Sequence, residues 1–253
     1  MNWRGCYTLF VKEVRRFYNV LGQTVGAPVI TAMLYLLVFR QVLEDRVNVY
    51  EGVSYTAFLI PGLIMMNVIQ NSFANTSSSI TQSKVMGNLV FLLLTPISAF
   101  EFYLAYIGAA LLRATLVATV LYVLAQLFVT VPMANPLVVA AMLVCAGGTL
   151  AVMGMIAGIM ADKFEHLAAF QNFFIMPLSF LSGVFYSIHS LPAFWQTASH
   201  FNPFFYMIDG FRQGFFGVGD VDPLRSLAVA AGFFVLVSII AISMLARGYK
   251  IRG

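Results

Sequence analysis

Charge is what this sequence has least of. Asp, Glu, Lys and Arg make up 9% of its 253 residues and hydrophobic residues 60%, against about 25% and roughly 45–50% in a typical soluble chain. So few charges cannot cover a water-exposed surface without leaving continuous apolar area in solvent, which excludes a soluble domain. Lysine is scarcer still: there are only four (Lys12, Lys84, Lys163 and Lys250) and none follows a glycine. That excludes the G-x-x-x-x-G-K-[ST] loop that cradles nucleotide phosphates, so the chain cannot hydrolyse ATP by a P-loop. The two cysteines, Cys6 and Cys145, lie far apart and point to neither a disulfide nor a metal site. Of the three histidines, His166 follows Glu165 but has no second histidine at helical spacing, so no H-E-x-x-H zinc helix exists. His189 and His200 share one segment, where a metal pair competes with the commoner hydrogen-bonded interfacial histidine. No nucleophile–base set is evident, which disfavours a membrane-embedded enzyme.

What the chain has in excess is apolar runs of membrane-spanning length, about 20 residues. Six are predicted, near residues 20–39, 55–75, 99–129, 136–160, 167–186 and 224–245. The second and fifth carry several polar residues. No A-x-A cleavage pattern follows the first run, which reads as an uncleaved span rather than a signal peptide. Six spans put both termini on one side. With that side cytoplasmic, nine of the 14 Lys and Arg lie inside (Arg4, Lys12, Arg15, Arg16, Lys84, Lys163, Arg247, Lys250 and Arg252). Four lie outside (Arg40, Arg46, Arg212 and Arg225), and Arg113 falls within the third span. The positive-inside rule therefore favours cytoplasmic termini. Glu44, Asp45, Glu51, Asp209, Asp220 and Asp222 fall outside. The net charge of +4 is read as membrane orientation, not as nucleic-acid binding.

Residues 1–19 read as a basic amphipathic helix on the cytoplasmic leaflet, with Trp3, Tyr7, Phe10, Val14 and Phe17 on one side. Arg4, Thr8, Lys12, Arg15, Arg16 and Asn19 occupy the other side. It is a membrane anchor, a partner-docking surface, or both. Residues 76–98 read as a short internal helix returning to the membrane and stopped at Thr95-Pro96. The other internal loop, 161–166, is tiny, leaving no cytoplasmic domain; any energy source must come from elsewhere. Residues 187–223 are too aromatic for a soluble loop. Two half-inserted helices hinged at Asn202-Pro203 fit better.

An arginine inside a span costs about 2.5–3.5 kcal/mol on insertion scales, so Arg113 must face protein or water, as a structural clamp or a substrate contact. Asn67, Gln70, Asn71, Ser72 and Asn75 in span two, and Gln171 and Asn172 in span five, either line a water-filled cavity or bond helix to helix. No carboxylate falls mid-span, which disfavours proton coupling. Gly22-x-x-x-Gly26 and Gly154-x-x-x-Gly158 permit close helix approach and are weak indications of a dimer.

Three stretches carry a family resemblance. They are residues 26–39 with 58–80, LLLTPISAFEF at 92–102, and FLSGVFYSIHSLPAFWQTASHFNPFFYMIDGFRQGFFG at 180–217. The last holds a G-V-F-Y unit, then Leu191-Pro192, Asn202-Pro203, and Asp209 with Arg212. Along nearly its whole length the chain resembles the ABC-2 type permease subunits of bacterial ATP-binding cassette exporters, in particular the YadH-like and NodJ-like members. The resemblance implies one all-α integral membrane domain over residues 1–253, like that of type V exporters. It has six transmembrane helices, an N-terminal interfacial helix, and a re-entrant segment between helices five and six. It implies an inner-membrane exporter permease that pairs with a second copy of itself and with separate ATPase subunits, which carry ATP and Mg; the chain itself needs no cofactor. Lys12, Glu13, Arg15, Arg16, Lys84, Thr95, Pro96, Asp162 and Lys163 would face that ATPase. Pro192, Trp195, Asn202, Pro203, Asp209 and Arg212 would cap the external end of the path. An amphipathic lipid-, glycan- or drug-like cargo suits the aromatic cap and charge-poor spans. The alternative is a secondary transporter or channel acting without an ATPase.

Overall fold

The computed structural model describes residues 2–43, 49–50 and 52–250; the expected loop charges Glu44, Asp45, Arg46 and Glu51, and Arg252, lie outside them. Among the described residues there is no strand, only an isolated bridge between Tyr50 and Val53. The helices are α1 (Trp3–Tyr18), α2 (Ala27–Leu43), α3 (Tyr55–Val85), α4 (Leu89–Leu93), α5 (Ala99–Ala125), α6 (Pro136–Met160), α7 (Phe164–Phe170), α8 (Met176–Phe180), α9 (Ala193–His200), α10 (Pro203–Phe216) and α11 (Pro223–Arg247). A π turn at Gly22–Gly26 leads into α2, and another at Gln171–Ile175 joins α7 to α8. Among the described residues, five helical stretches are long and apolar enough to cross a membrane: Gly22–Val42, Tyr55–Val85, Ala99–Ala125, Pro136–Met160 and Pro223–Arg247. The predicted fifth span is instead a 17-residue helical run, 164–180, interrupted by its π turn.

Helix α3 is the centre of the molecule and packs most extensively on α6 and α5. Its 31 residues reach about 46 Å at 1.5 Å each, well beyond a hydrocarbon core of about 30 Å. The expected end of this span at Asn75 is therefore corrected: the helix runs ten residues further, and only 86–98 forms the connection to α5. Polar Thr76–Ser83 stays helical because most of it is buried against neighbours. Thr76 Oγ1 donates to the Ala151 carbonyl at 2.6 Å, and Gly154 and Gly158 let α6 approach so closely that added Cβ atoms would strike the α3 backbone at Phe73 and Ser77. The second glycine motif thus serves packing within the chain, while nothing approaches Gly22 or Gly26 within 4 Å. Ser98 opens α5 with a capping box to Glu101, and Asn135 opens α6 with Pro136 at its first turn.

The connections sort to two ends. At one, Asn2 donates to the Pro96 carbonyl at 3.3 Å and its backbone N–H to the Glu101 carboxylate. There Lys84 also meets the 159–162 segment. At the other, Tyr50 and Tyr55 donate to Asp220 and the Phe185 carbonyl. There too, the Ala134 and Asn135 N–H groups donate to Phe215 and Gly214. The run 164–180 connects the first end to the second.

Candidate functional site

At the first end, α1 lies along α5 with Cys6, Leu9, Glu13 and Phe17 buried. The inward stripe is rotated from the one the aromatics predict: Trp3 and Tyr7 are 63% and 68% exposed. Glu13 is the correction with most consequence. Expected as a partner-facing charge, it is 0% exposed and accepts hydrogen bonds from Lys12 Nζ (2.8 Å), Arg16 Nε (3.1 Å) and Ser79 Oγ (2.9 Å). Arg16 then reaches α3, where its Nη2 donates to the Asn75 carbonyl at 2.7 Å and to Asn75 Oδ1 at 3.0 Å. Arg113 approaches the same amide from α5. Its Nη1 donates to Asn75 Oδ1 at 3.3 Å and its Nη2 to Asn71 Oδ1 at 2.8 Å. Arg113 is 8% exposed, and among the described residues no carboxylate pairs with it. Two guanidiniums therefore converge on one amide oxygen, with Glu13 the nearest counter-charge in the chain of bonds.

The other expected residues at this end fall into smaller groups. Lys84 Nζ caps α6, donating to Ile159 O (2.9 Å), Ala161 O (2.8 Å) and Asp162 Oδ1 (3.2 Å). The hydrogen bond and charge of Lys84, with Lys250 nearby, hold the Asp162 carboxyl below its usual range. Lys163, Thr95, Pro96 and Arg15 are exposed. Between Lys84 and Pro96 lie the exposed apolar residues Val85, Met86, Val90, Phe91 and Leu94. Asn67 and Asn71 donate back into α3, to Leu63 O (2.8 Å) and Asn67 O (3.1 Å), and Gln70 reaches Met176 Sδ at 3.3 Å. Half-buried Gln171 and exposed Asn172 sit in the π turn, apart from Arg113.

At the second end, α9 and α10 are separated at Asn202-Pro203 as expected, and α10 packs on α6, α11 and α3 with nearly every side chain buried. Asn202 caps it, accepting from Phe204 N–H, while its Nδ2 donates to Leu178 O (2.8 Å) and Ser182 Oγ (2.9 Å). Asp209 is buried. It accepts from the Asp220 N–H (2.7 Å) and Val221 N–H (3.3 Å), and from Gln213 and Ser226. Arg212, 1% exposed, points elsewhere, stacking 3.8 Å over Phe58 and donating to Gly183 O at 2.7 Å. An added Cβ at Gly62 would come within 2.8 Å of Val184 O there, so this approach needs glycine. Asp220 collects Tyr50 Oη (2.9 Å), Ser187 Oγ (2.7 Å) and the Ile188 N–H (2.8 Å). Pro192 and Trp195 lie at the exposed start of α9.

The family profile described as ABC-2 type transporter matches residues 4–216. The chain belongs to the ABC-2 type transporter family. It is 35% identical over 251 residues, 99% of this chain and 98% of the relative, to "Inner membrane transport permease YadH" of Escherichia coli (strain K12). It is 23% identical over 246 residues (97% and 92%) to "Nodulation protein J" of Rhizobium leguminosarum bv. viciae. A further "Nodulation protein J", from R. leguminosarum bv. trifolii, is 24% identical over 216 residues (85% and 82%). Membership makes this chain the multi-pass membrane component of an ABC transporter, a permease-type subunit.

In this ABC-2 permease three participants escaped sequence reading. Ser79 was one serine in a polar run. Asp220 carries no local motif, since its partners lie 32 to 170 residues away. Glu101 had a readable mark, the S-x-x-E of Ser98–Glu101 ahead of an apolar run.

Proposed function

We propose that this chain is one half of an ATP-driven exporter, two copies of which surround a path driven by two separate ATPase subunits. The observation that carries the reading is where the partner-facing segments gather. The start of α1, the exposed apolar connection 86–96 and the Lys84–Asp162 pair share one end of the helices. That end also holds Arg4, Lys12, Arg15, Arg16, Lys84, Lys163, Arg247 and Lys250, so positive-inside makes it cytoplasmic. The run 164–180 serves as a sixth crossing, completed by the residues after it, and both termini are cytoplasmic. The ATPase docks on the 86–96 connection and the 161–163 turn, and its closure moves them as rigid bodies. Helices α9 and α10 form the re-entrant external cap, pinned by Asp209, Asp220 and Asn202. The cargo is amphipathic. Co-purification tests this: a stoichiometric partner carrying a Walker motif is expected, and replacing residues 86–96 with Gly and Ser should release it. A chain fully active alone in liposomes would overturn it.

A further inference from the structure

We propose that the outward face of α1 holds the headgroup phosphate of an anionic glycerophospholipid. That face forms a hollow of about 580 Å³ whose lining includes Tyr7, Thr8, Lys12, Arg15, Arg16 and Asn19. Three cations stand there against one carboxylate. Glu13 is turned inward with no exposed surface and is occupied by Lys12, Arg16 and Ser79. Arg15 is exposed, and its guanidinium makes no hydrogen bond or ion pair among the described residues. The hollow thus keeps a surplus of positive charge and an unengaged planar guanidinium, the donor geometry best matched to a phosphate. Beyond Arg15 the surface becomes apolar, at exposed Val20 and Leu21, and α2 continues it with exposed Ile30, Leu34 and Leu37. A ligand with an anionic head and acyl chains matches both halves, whereas a free anion or an acidic peptide matches only the first. Interfacial basic residues beside a span select anionic headgroups by this means. The site rests on the reading of α1 as an interfacial helix and is independent of the ATPase.

Native mass spectrometry of the purified full-length chain in detergent, titrated with phosphatidylglycerol or phosphatidylethanolamine of matched acyl chains, tests the site. Phosphatidylglycerol should bind at least tenfold more tightly. Arg15→Gln should weaken it about fivefold and Lys12→Gln with Arg15→Gln about 25-fold, the change that ~1 kcal/mol per interfacial cation gives. Arg15→Lys should stay within about threefold of the wild type, and millimolar inorganic phosphate should not displace the lipid. Equal binding of the two lipids, or an unchanged Arg15→Gln variant, overturns the site. Displacement by inorganic phosphate makes it a free-anion site and also overturns it. Arg15→Gln releasing the ATPase but not the lipid assigns the face to protein docking instead. In a Trp195→Phe background Trp3 is the remaining tryptophan of two, and its quenching by brominated acyl chains separates the two claims. Quenching without headgroup preference removes the site and keeps the interfacial helix; no quenching removes both.

Discussion

Glu13→Gln removes one charge and almost no volume, so its effect isolates the electrostatic role of the buried carboxylate. That carboxylate is fully buried, and both of its cations are partly solvated, with 26% of the Arg16 side chain and 44% of the Lys12 side chain exposed. Breaking a fully buried pair costs roughly 3–5 kcal/mol, and an exposed pair is worth about 0–1 kcal/mol, so about 2 kcal/mol is expected here. The residual cost arises because Arg16 and Arg113 would still converge on Asn75 Oδ1 after losing their nearby anion. Each 1 kcal/mol shifts Tm by about 2–4 °C in a chain of 150–250 residues, so a fall of about 4–8 °C is expected. Thermal unfolding in lipid nanodiscs, followed by intrinsic fluorescence, reads it. Adding Arg16→Gln removes the cation left over, so the double variant should be less destabilised than the sum of the singles by about 0.5–3 kcal/mol. A Glu13→Gln shift under about 1 °C, or strictly additive effects, would refute the idea that this carboxylate balances the two arginines.

Four further outcomes are expected. Gly62→Ala drives a methyl group into the Val184 carbonyl and should cost about 1–3 kcal/mol, seen as a lower Tm with weaker retention of the native fold on size exclusion. Asp220→Ala frees the Ser187 hydroxyl, the Ile188 N–H and Tyr50 together, so limited proteolysis should cut near 187–192 at least several-fold faster while cleavage in the 86–96 connection stays constant. Lys84→Ala uncovers the carbonyls ending α6 and should reduce stimulation of the ATPase with a modest loss of stability. The Lys84–Asp162 contact has a defined pH sense. Because the folded-state pKa of Asp162 is lowered, its contribution is complete above the ordinary carboxylate value of about 3.9 and fades only as pH falls through the lower folded value. Partner binding that changed between pH 5 and 8 through Asp162→Asn-sensitive groups would contradict this.

Much of the architecture was legible because apolar length and punctuation are local properties. Helix α6 begins and ends where Asn135-Pro136 and the Ala161 break place it, and the Asn202-Pro203 hinge between α9 and α10 is readable for the same reason. What was not legible depends on which segments meet in the fold. Residues 76–83 read as part of a separate short helix, yet serine and threonine in a helix can donate to carbonyls of their own helix or of a neighbouring one, as Ser83 and Thr76 do, so α3 continues through them against α6. Glu13 read as a partner-facing charge, yet it is buried, with Lys12 and Arg16 of its own helix and Ser79 of α3 donating to it. Arg113 was recognisable from its place in a span, but its partners on α3 depend on which helices meet. The π turn in 164–180 and the rotated buried stripe of α1 likewise follow from packing and leave no spacing to read.

The mass of the intact complex, extracted in native lipid and weighed with its subunits identified, tests the central claim most directly. A particle holding two copies of this chain and two copies of a Walker-containing ATPase is predicted, with the ATPase lost when residues 86–96 are replaced. A particle without an ATPase that still moves its cargo along an ion gradient would contradict it.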